Sequence, residues 1–420
     1  MSTIKVNAIQ HTTANASNMT LFANGNVAMT TANTTLTVGN TTISNSGISV
    51  AGAAINPLAT GMRNKFINGD MRVDQRYSGS ANTINTGASQ YILDRWAFNN
   101  GSGTGVYTVR QMDSANTSAS NYESGSAPPG FINSFKMTVT TANTTTSSSS
   151  YAGFWQPVEG LTITDLDWGK STAKPVTLSF WVKSNITGQF SWAIFNYNST
   201  RVYPASVTIN SANTWEYKSF TIPGDTTGTW LTNNSVGLYF QLWPVLGSSY
   251  LTSSAGWNAS ALYGITGQTN WAATVGNTFY ITGVQLEAGA VATPFEWRHY
   301  GHELALCQRY LPAFRYDGIG ATAYVNMCSM YSTGTTGLIH LFLPVTTRVP
   351  PTGITTSGAS TFSISDGDSG AALTALTFSA ATDKNMSLNF SVGSARTAFR
   401  PHHMYSATSA SYIFGTGCEL

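Results

Sequence analysis

Two carboxylates with one residue between them, Asp165 and Asp167, are the nearest approach to a catalytic pair in this 420-residue sequence. On an extended strand they fall on one side, about 7 Å apart. That separation is compatible with inverting hydrolysis of a glycosidic bond. Their surroundings, residues 162–169, are mostly polar and end in a turn residue, so a solvated loop is the expected setting. Asp113, Glu123, Glu159, Glu216 and Asp225 are the other acidic candidates of the central region. There is no Gly-X-Ser-X-Gly elbow and no phosphate-binding glycine loop. The six histidines lack metal-ligand spacing: His299 and His302 flank a helix start, and His402 and His403 point to opposite faces if they lie in a strand. The expectation is a chain that is not an enzyme, with no cofactor and no metal.

A different chemistry is offered by residues 248–271. This stretch is uncharged and aromatic, with Tyr250, Trp257, Asn258, Tyr263, Gln268 and Trp271. Flat rings meet the C–H faces of sugars, and planar polar groups pair with hydroxyls. The stretch lacks clean alternation and reads as loops. Its rings either pack on the body of the protein or a neighbouring subunit, or they touch a glycan. Tyr250, Trp257, Tyr263 and Trp271 are the candidates for the second role. Arg400, His402, His403 and Tyr405, with Tyr412, make up a second candidate surface.

Composition decides what must hold such groups in place. Charged residues make up 9% of the chain, against a usual ~25%. The polar share is Ser, Thr, Asn and Gly, which favour strands and turns, so the chain is expected to be all-β. The net charge is +2 and there is no basic run, which argues against nucleic acid and anionic lipid as partners. No stretch approaches the ~20 apolar residues of a membrane span, so no membrane insertion is expected. Residues 1–10 do not read as a secretory signal. Cys307, Cys328 and Cys418 are scattered and odd in number, which suits synthesis in a reducing cytosol without a disulfide framework.

Four regions follow. Residues 1–61 carry one charged side chain, Lys5. Short apolar dashes (Leu21, Val27, Leu36, Val38, Ile48, Val50) alternate there with Thr, Ser and Asn. So thin a ribbon cannot bury enough surface to fold alone. It is either disordered or wraps with two further copies into an intertwined β-ribbon stalk, and the alternation favours the stalk. Residues 62–298 hold all eleven tryptophans and clear period-2 strands. Phe135, Met137 and Val139 form one such set, Val176, Leu178, Phe180 and Val182 another, and Leu238, Phe240 and Leu242 a third, the last alternating with Tyr239, Gln241 and Trp243. These strands predict a jelly-roll β-sandwich. Residues 299–312 are a short helical linker: Tyr300, Leu304, Cys307 and Leu311 form a stripe that Pro312 stops. The stripe fits either the sandwich or a three-copy seam. Residues 313–420 return to β and predict a small C-terminal sandwich.

Several stretches resemble a known group. Residues 1–10 (MSTIKVNAIQ) resemble the start of many tail-associated proteins of marine bacteriophages. Residues 64–71 (NKFINGDM), with Leu93-Asp-Arg-Trp96, resemble the opening of the jelly roll of phage tail fibre and capsid fibre proteins. Residues 281–289 (ITGVQLEAG), Thr293-Pro-Phe-Glu296 and residues 303–310 (ELALCQRY) resemble its close, bracketing 64–310. Cys418-Glu-Leu420 is a weaker match. The resemblance implies a homotrimeric virion subunit on a tail, collar or capsid surface, made in the host cytoplasm. It also implies a jelly roll like carbohydrate-binding modules, attachment to other virion proteins through the N-terminal region, and contact with host polysaccharide or lipopolysaccharide. With the N-terminal region on the particle, the C-terminal region is distal and faces the host. The rivals are a purely structural capsid-decoration, collar or baseplate fibre and, behind it, a polysaccharide-degrading tailspike.

The bracketing segments carry much of the charge, including Arg63, Asp70, Arg72, Asp94, Arg95, Glu287, Glu296, Arg298 and Glu303. First and last strands of a jelly roll lie close, so ion pairs of Asp94 or Glu287 with Arg72 or Arg95 are expected. The alternative is a cation held by Asp70, Asp94 or Glu287.

Overall fold

A computed structural model describes residues 62–420 except 102, 104, 317–323, 332 and 368–369, and before them the backbone of seven short strands. Residues Ala8–Ile9, Met19–Leu21 and Val27–Met29 pair antiparallel in one sheet, and Thr35–Val38, Thr41–Ser44, Gly47–Val50 and Ala53–Ile55 in another. The expected stalk depends on side chains and connections in residues 1–61 that lie outside the described residues.

The central unit is a sandwich of two six-stranded antiparallel sheets. Its strands are β1 (Asn82–Ile84), β2 (Ala88–Leu93), β3 (Trp96–Asn100), β4 (Val106–Asp113), β5 (Asn133–Thr141), β6 (Tyr151–Glu159), β7 (Val176–Ser184), β8 (Gly188–Asn196), β9 (Val202–Ile209), β10 (Glu216–Ile222), β11 (Val236–Leu246) and β12 (Thr278–Ala288). The first sheet runs β9-β8-β11-β6-β3-β2 and the second β10-β7-β12-β5-β4-β1. The alternation seen in the sequence sets which side chains are enclosed. Phe135, Met137, Val176, Leu178, Phe180, Val182, Leu238, Phe240 and Leu242 are all buried between the sheets.

Residues 64–70 stitch the sandwich shut. The Asn64 side chain bridges β12, its Nδ2 donating to Val284 O (2.9 Å) and its Oδ1 accepting from Leu286 N (3.0 Å). Asn68 ties residue 73 to the turn between β2 and β3, donating to Val73 O (2.8 Å) and Asp94 O (2.9 Å), while Trp96 Nε1 donates to Asn68 O (2.8 Å). Next to Asn68, a Cβ on Gly69 would stand 2.2 Å from Val284 O, so only glycine lets the segment lie this close to β12. These motif residues specify the fold.

The helix α1 (Tyr300–Gln308) lies on its own sandwich. Cys307 is fully buried against Ile67, Val73 and Tyr310, with Leu304 half-buried beside them. Leu311 is buried with Ala313 and Phe414. The three-copy seam expected of Tyr300, Leu304, Cys307 and Leu311 is therefore corrected: the stripe is used up within the chain, and only Tyr300 stays exposed, near Arg72.

The C-terminal unit, expected as a small sandwich, closes on itself. Six strands (Tyr324–Met330, Thr336–Phe342, Asn385–Val392, Gly370–Ala381, Phe362–Ser365, Pro401–Ser406, in spatial order) form a barrel, and Ala313–Arg315, Tyr412–Thr416 and Gly353–Thr356 form a three-stranded sheet. Closure leaves the barrel no open edge.

A buried charge network joins the two units. Arg95, 1% exposed, pairs with Glu419, donates to Pro157 O (2.6 Å) and lies 3.7 Å over the Tyr310 ring. Arg76 pairs with the same carboxylate at 2.9 Å, and Tyr91 donates to Leu420 O at 2.9 Å. Glu159 holds Arg309 (2.7 Å) and accepts from the Tyr310 hydroxyl (2.5 Å). The expected pairs of Asp94 or Glu287 with Arg72 or Arg95 do not form, and each of these groups takes another partner. Asp94 accepts from Gln75 N and Nε2, both at 2.7 Å; Arg72 pairs with Asp70 at 2.9 Å; Glu287 lies 3.4 Å from Arg63 and accepts from Thr293. The acid that neutralises Arg95 comes from 324 residues away, a pairing that no local spacing reveals.

Two outcomes follow from burial of these charges. Glu419→Ala leaves the Arg95 guanidinium enclosed without its counter-charge and is expected to destabilise the protein by about 3–5 kcal/mol in denaturant titration. Burial pushes the Asp94 carboxyl up to about 6. Its stabilising contribution is complete below ~pH 4, the unfolded value, and is lost as pH rises through 6. Asp94→Asn should therefore compare better with wild type at pH 7 than at pH 4, by on the order of 2 kcal/mol.

Candidate functional site

The outer face of the first sheet is the candidate site. In β11, Leu238, Phe240 and Leu242 face the core, so Tyr239, Gln241 and Trp243 face outward. The pairing register sets their neighbours: Trp155 of β6 stands opposite Gln241, and Phe195 of β8 opposite Tyr239. Small residues make room between them. Ala97 lies beside Trp155 and Ala193 beside Gln241. A Cβ on Gly153 would sit 2.8 Å from Trp243 Cε3 and 2.2 Å from Leu242 O, and one on Gly101 would sit 2.1 Å from the Tyr151 ring. Glycine at these two positions lets the rings lie against the sheet.

Seven rings follow one another in an arc. Trp155 and Tyr239 are 5.6 Å apart, Tyr239 and Phe195 5.0 Å and stacked, and Phe195 and Tyr263 5.0 Å. Tyr263 and Tyr250, then Tyr250 and Tyr151, are each 6.0 Å apart, and Tyr151 and Trp243 are 5.6 Å apart. The arc borders a groove of about 530 Å³, whose lining also includes Asn99, Asn100, Tyr197 and Ser199. None of the groove's lining residues is charged. Burial pushes the Tyr239 and Tyr263 phenols up, so they stay neutral.

The groove also holds hydrogen-bonding capacity that the protein does not use. Trp155 Nε1, Trp243 Nε1 and Asn99 Oδ1 are buried and make no hydrogen bond to any described residue. The Gln241 amide, lying between Tyr239 and Trp243, likewise has no partner among the described residues. Buried polar atoms are ordinarily paired. Two indole donors, one amide oxygen and one complete amide beside flat rings can bind a neutral, hydroxyl-rich molecule by stacking and hydrogen bonding.

The sequence-derived candidates divide. Tyr250 and Tyr263 line the groove, and the Tyr263 hydroxyl donates to Ser199 Oγ at 2.9 Å. Trp257 does not line it: this ring packs at 5.3 and 5.5 Å against Trp168 and Trp230, and its Nε1 donates to Pro223 O (2.8 Å). Trp271 is fully buried in the core against Tyr107 and Phe279. Both are corrected to packing roles, because their loops fold back onto the sandwich. The C-terminal set does not converge. His402 is buried and its Nδ1 donates to Arg400 O (2.9 Å); His403 points outward, edge-on to Tyr324; Tyr405 is half-buried and Arg400 exposed. Strand alternation separates these side chains.

The acidic candidates are each engaged elsewhere. Asp165 lies in a 3₁₀ turn (Gly160–Leu166), with both oxygens on Lys65 Nζ (2.7 and 2.8 Å), and Asp167 pairs with Lys170 at 2.9 Å. Lys170 holds the Asp167 carboxyl below its usual range. Asp225 is clamped by Arg201 and the Trp230 indole, and Glu123 by Lys136 and Tyr280. Among the described residues no facing pair of free carboxylates remains. Among the described residues no three His, Cys, Asp or Glu side chains gather to hold a metal. Asp70, Asp94 and Glu287 go to different partners and do not form the alternative cation site.

The groove's central residues were visible in the sequence as the partners in the Leu238–Leu242 alternation. The informative signal was that the positions facing away from the core held Tyr, Gln and Trp where a solvent-facing strand would carry Ser, Thr or Lys.

No family model and no curated protein matches this chain. Solved structures with which it shares similarity include the enzymatically active domain of bacteriophage CBA120 tailspike protein 4 (15% identity, 54% of this chain and 22% of that one, TM-score 0.30). They also include TmCBM61 in complex with β-1,4-galactotriose (11%, 54% and 99%, TM-score 0.26). A third is the family 11 carbohydrate-binding module from Clostridium thermocellum in complex with a β-1,3-1,4-mixed-linked tetrasaccharide (13%, 52% and 100%, TM-score 0.23). This chain thus spans about a fifth of the tailspike domain and the whole length of the binding modules.

Free and engaged amides separate site from scaffold. Gln241→Ala removes a side chain bonded to no described residue, and the stability loss is expected to stay at or below about 1 kcal/mol. Gln156→Ala breaks two bonds with the Ile67 backbone (3.0 and 2.8 Å) and is expected to cost about 2 kcal/mol. Urea denaturation of the two variants checks the contrast.

Proposed function

We propose that this chain is a virion fibre subunit, a homotrimer whose jelly roll holds a neutral host-surface glycan in the groove on its first sheet. One observation carries the glycan reading: an uncharged aromatic arc with unpaired indole and amide groups at its floor. Sugars present C–H faces and hydroxyls together, and this lining answers both. The fibre reading is supported by the resemblance of residues 1–10 and of the motifs bracketing 64–310. The trimer reading is supported by the meagre apolar content of residues 1–61, which identical partners would complete. In this reading the N-terminal region attaches to other virion proteins on a tail, collar or capsid surface. The glycan belongs to a host polysaccharide or lipopolysaccharide.

The test uses the full chain on an array of bacterial polysaccharides. Binding to at least one uncharged glycan is expected, weakened at least tenfold by Trp155→Ala and by Trp243→Ala, with near-ultraviolet circular dichroism showing intact folding. A tenfold loss corresponds to ~1.4 kcal/mol. No reducing ends are expected to be released from the bound glycan. Light scattering should return three times the 44.7 kDa chain mass. A chain that binds no glycan would leave the purely structural fibre, and a monomer would remove the trimer.

A further inference from the structure

A second cleft, of about 270 Å³, opens where the sandwich meets the C-terminal unit. It shares no lining residue with the groove. Tyr412 and Phe414 are stacked at 4.5 Å and 17° on its C-terminal side, flanked by Thr355 and Thr416. Arg76 and Glu419 face it as a joined pair, Nη2 to Oε1 at 2.9 Å. The other terminal nitrogen, Arg76 Nη1, is buried and makes no hydrogen bond to any described residue. The Thr355 and Thr416 hydroxyls have no partner among the described residues either.

We propose that this cleft is a second saccharide site, built for a single pyranose ring. A guanidinium beside a carboxylate presents a donor and an acceptor in one plane, which matches two neighbouring hydroxyls of a sugar. The aromatic pair supplies a flat wall for the ring's C–H face. The volume lies below the ~300–1,000 Å³ typical of drug-sized pockets, so it suits one ring rather than a chain. Both units contribute: Arg76 and Tyr77 from the sandwich, Thr355, Tyr412 and Thr416 from the C-terminal unit. A bound sugar therefore tightens the junction that Glu419 already closes. With the groove, it gives each chain two points of attachment, which multiplies avidity on a dense glycan surface.

The site does not depend on the groove, and its test keeps them apart. Methyl β-D-glucopyranoside, methyl β-D-galactopyranoside and methyl α-D-mannopyranoside are titrated at millimolar concentration into the full chain and followed by saturation-transfer NMR. At least one is expected to bind saturably, unchanged in Trp243→Ala and weakened at least tenfold in Thr355→Trp, which fills the cleft. If Thr355→Trp fails to fold, Thr355→Val takes its place, with about threefold weakening expected from loss of the hydroxyl. Failure of all three sugars to bind, loss of binding in Trp243→Ala, or unchanged affinity in the folded Thr355 variant overturns the proposal.

Discussion

A β-strand has two faces one residue apart, and committing one face commits the other. That constraint governs the structure. Once Leu238, Phe240 and Leu242 enter the core, Tyr239, Gln241 and Trp243 must emerge on the outside of the first sheet. The register of β11 with β6 and β8 then places Trp155 and Phe195 beside them. A one-residue slip in any of these pairings would bury the Gln241 amide and expose a leucine. The hydrophobic core and the groove are thus two consequences of one register, and the groove needs no loop to position its floor.

The absence of charge from the groove is part of its chemistry. Charged lining groups would attract counter-ions and hold ordered water, both of which a neutral sugar would have to displace. Here the hydrogen-bonding groups are indoles and amides, which are neutral and less strongly hydrated than charged groups, carried on strands of the sheet. The rings supply area without the rotamer freedom of long aliphatic side chains, so little ordering is left for the ligand to bring about.

Charge is concentrated instead where the units meet. Arg95 is enclosed by Pro157 O, the Tyr310 ring and Glu419. A guanidinium so placed costs several kcal/mol to desolvate unless its counter-charge is in position. The sandwich therefore has a complete interior only when residues 418–420 have docked, which makes the two units mutually dependent. The second cleft lies along that seam, so occupancy there and closure of the junction are coupled.

The sequence by itself determined the class of structure. Low charge, abundant Ser, Thr and Asn, and period-2 alternation can be satisfied only by sheets with one face enclosed, and the strands at 135–139, 176–182 and 238–242 fall where that pattern puts them. Residues 64–70, by contrast, act through contacts far along the chain: Asn64 and Gly69 lie against β12, and Asn68 binds Val73 O and Asp94 O. What the sequence could not decide is which of many aromatics are packed and which are presented. Trp257 and Trp271 sit in the same uncharged stretch as Tyr250 and Tyr263 but pack inward, because that outcome depends on where the loop lands on the sheet. Likewise the helix stripe is apolar in any setting, and only the fold shows that Ile67, Val73 and Tyr310 consume it. Alternation is a local property that a sequence carries openly. The meeting of Trp155 with Gln241, or of Arg95 with Glu419, joins residues tens to hundreds apart, and only three-dimensional register and docking bring them together.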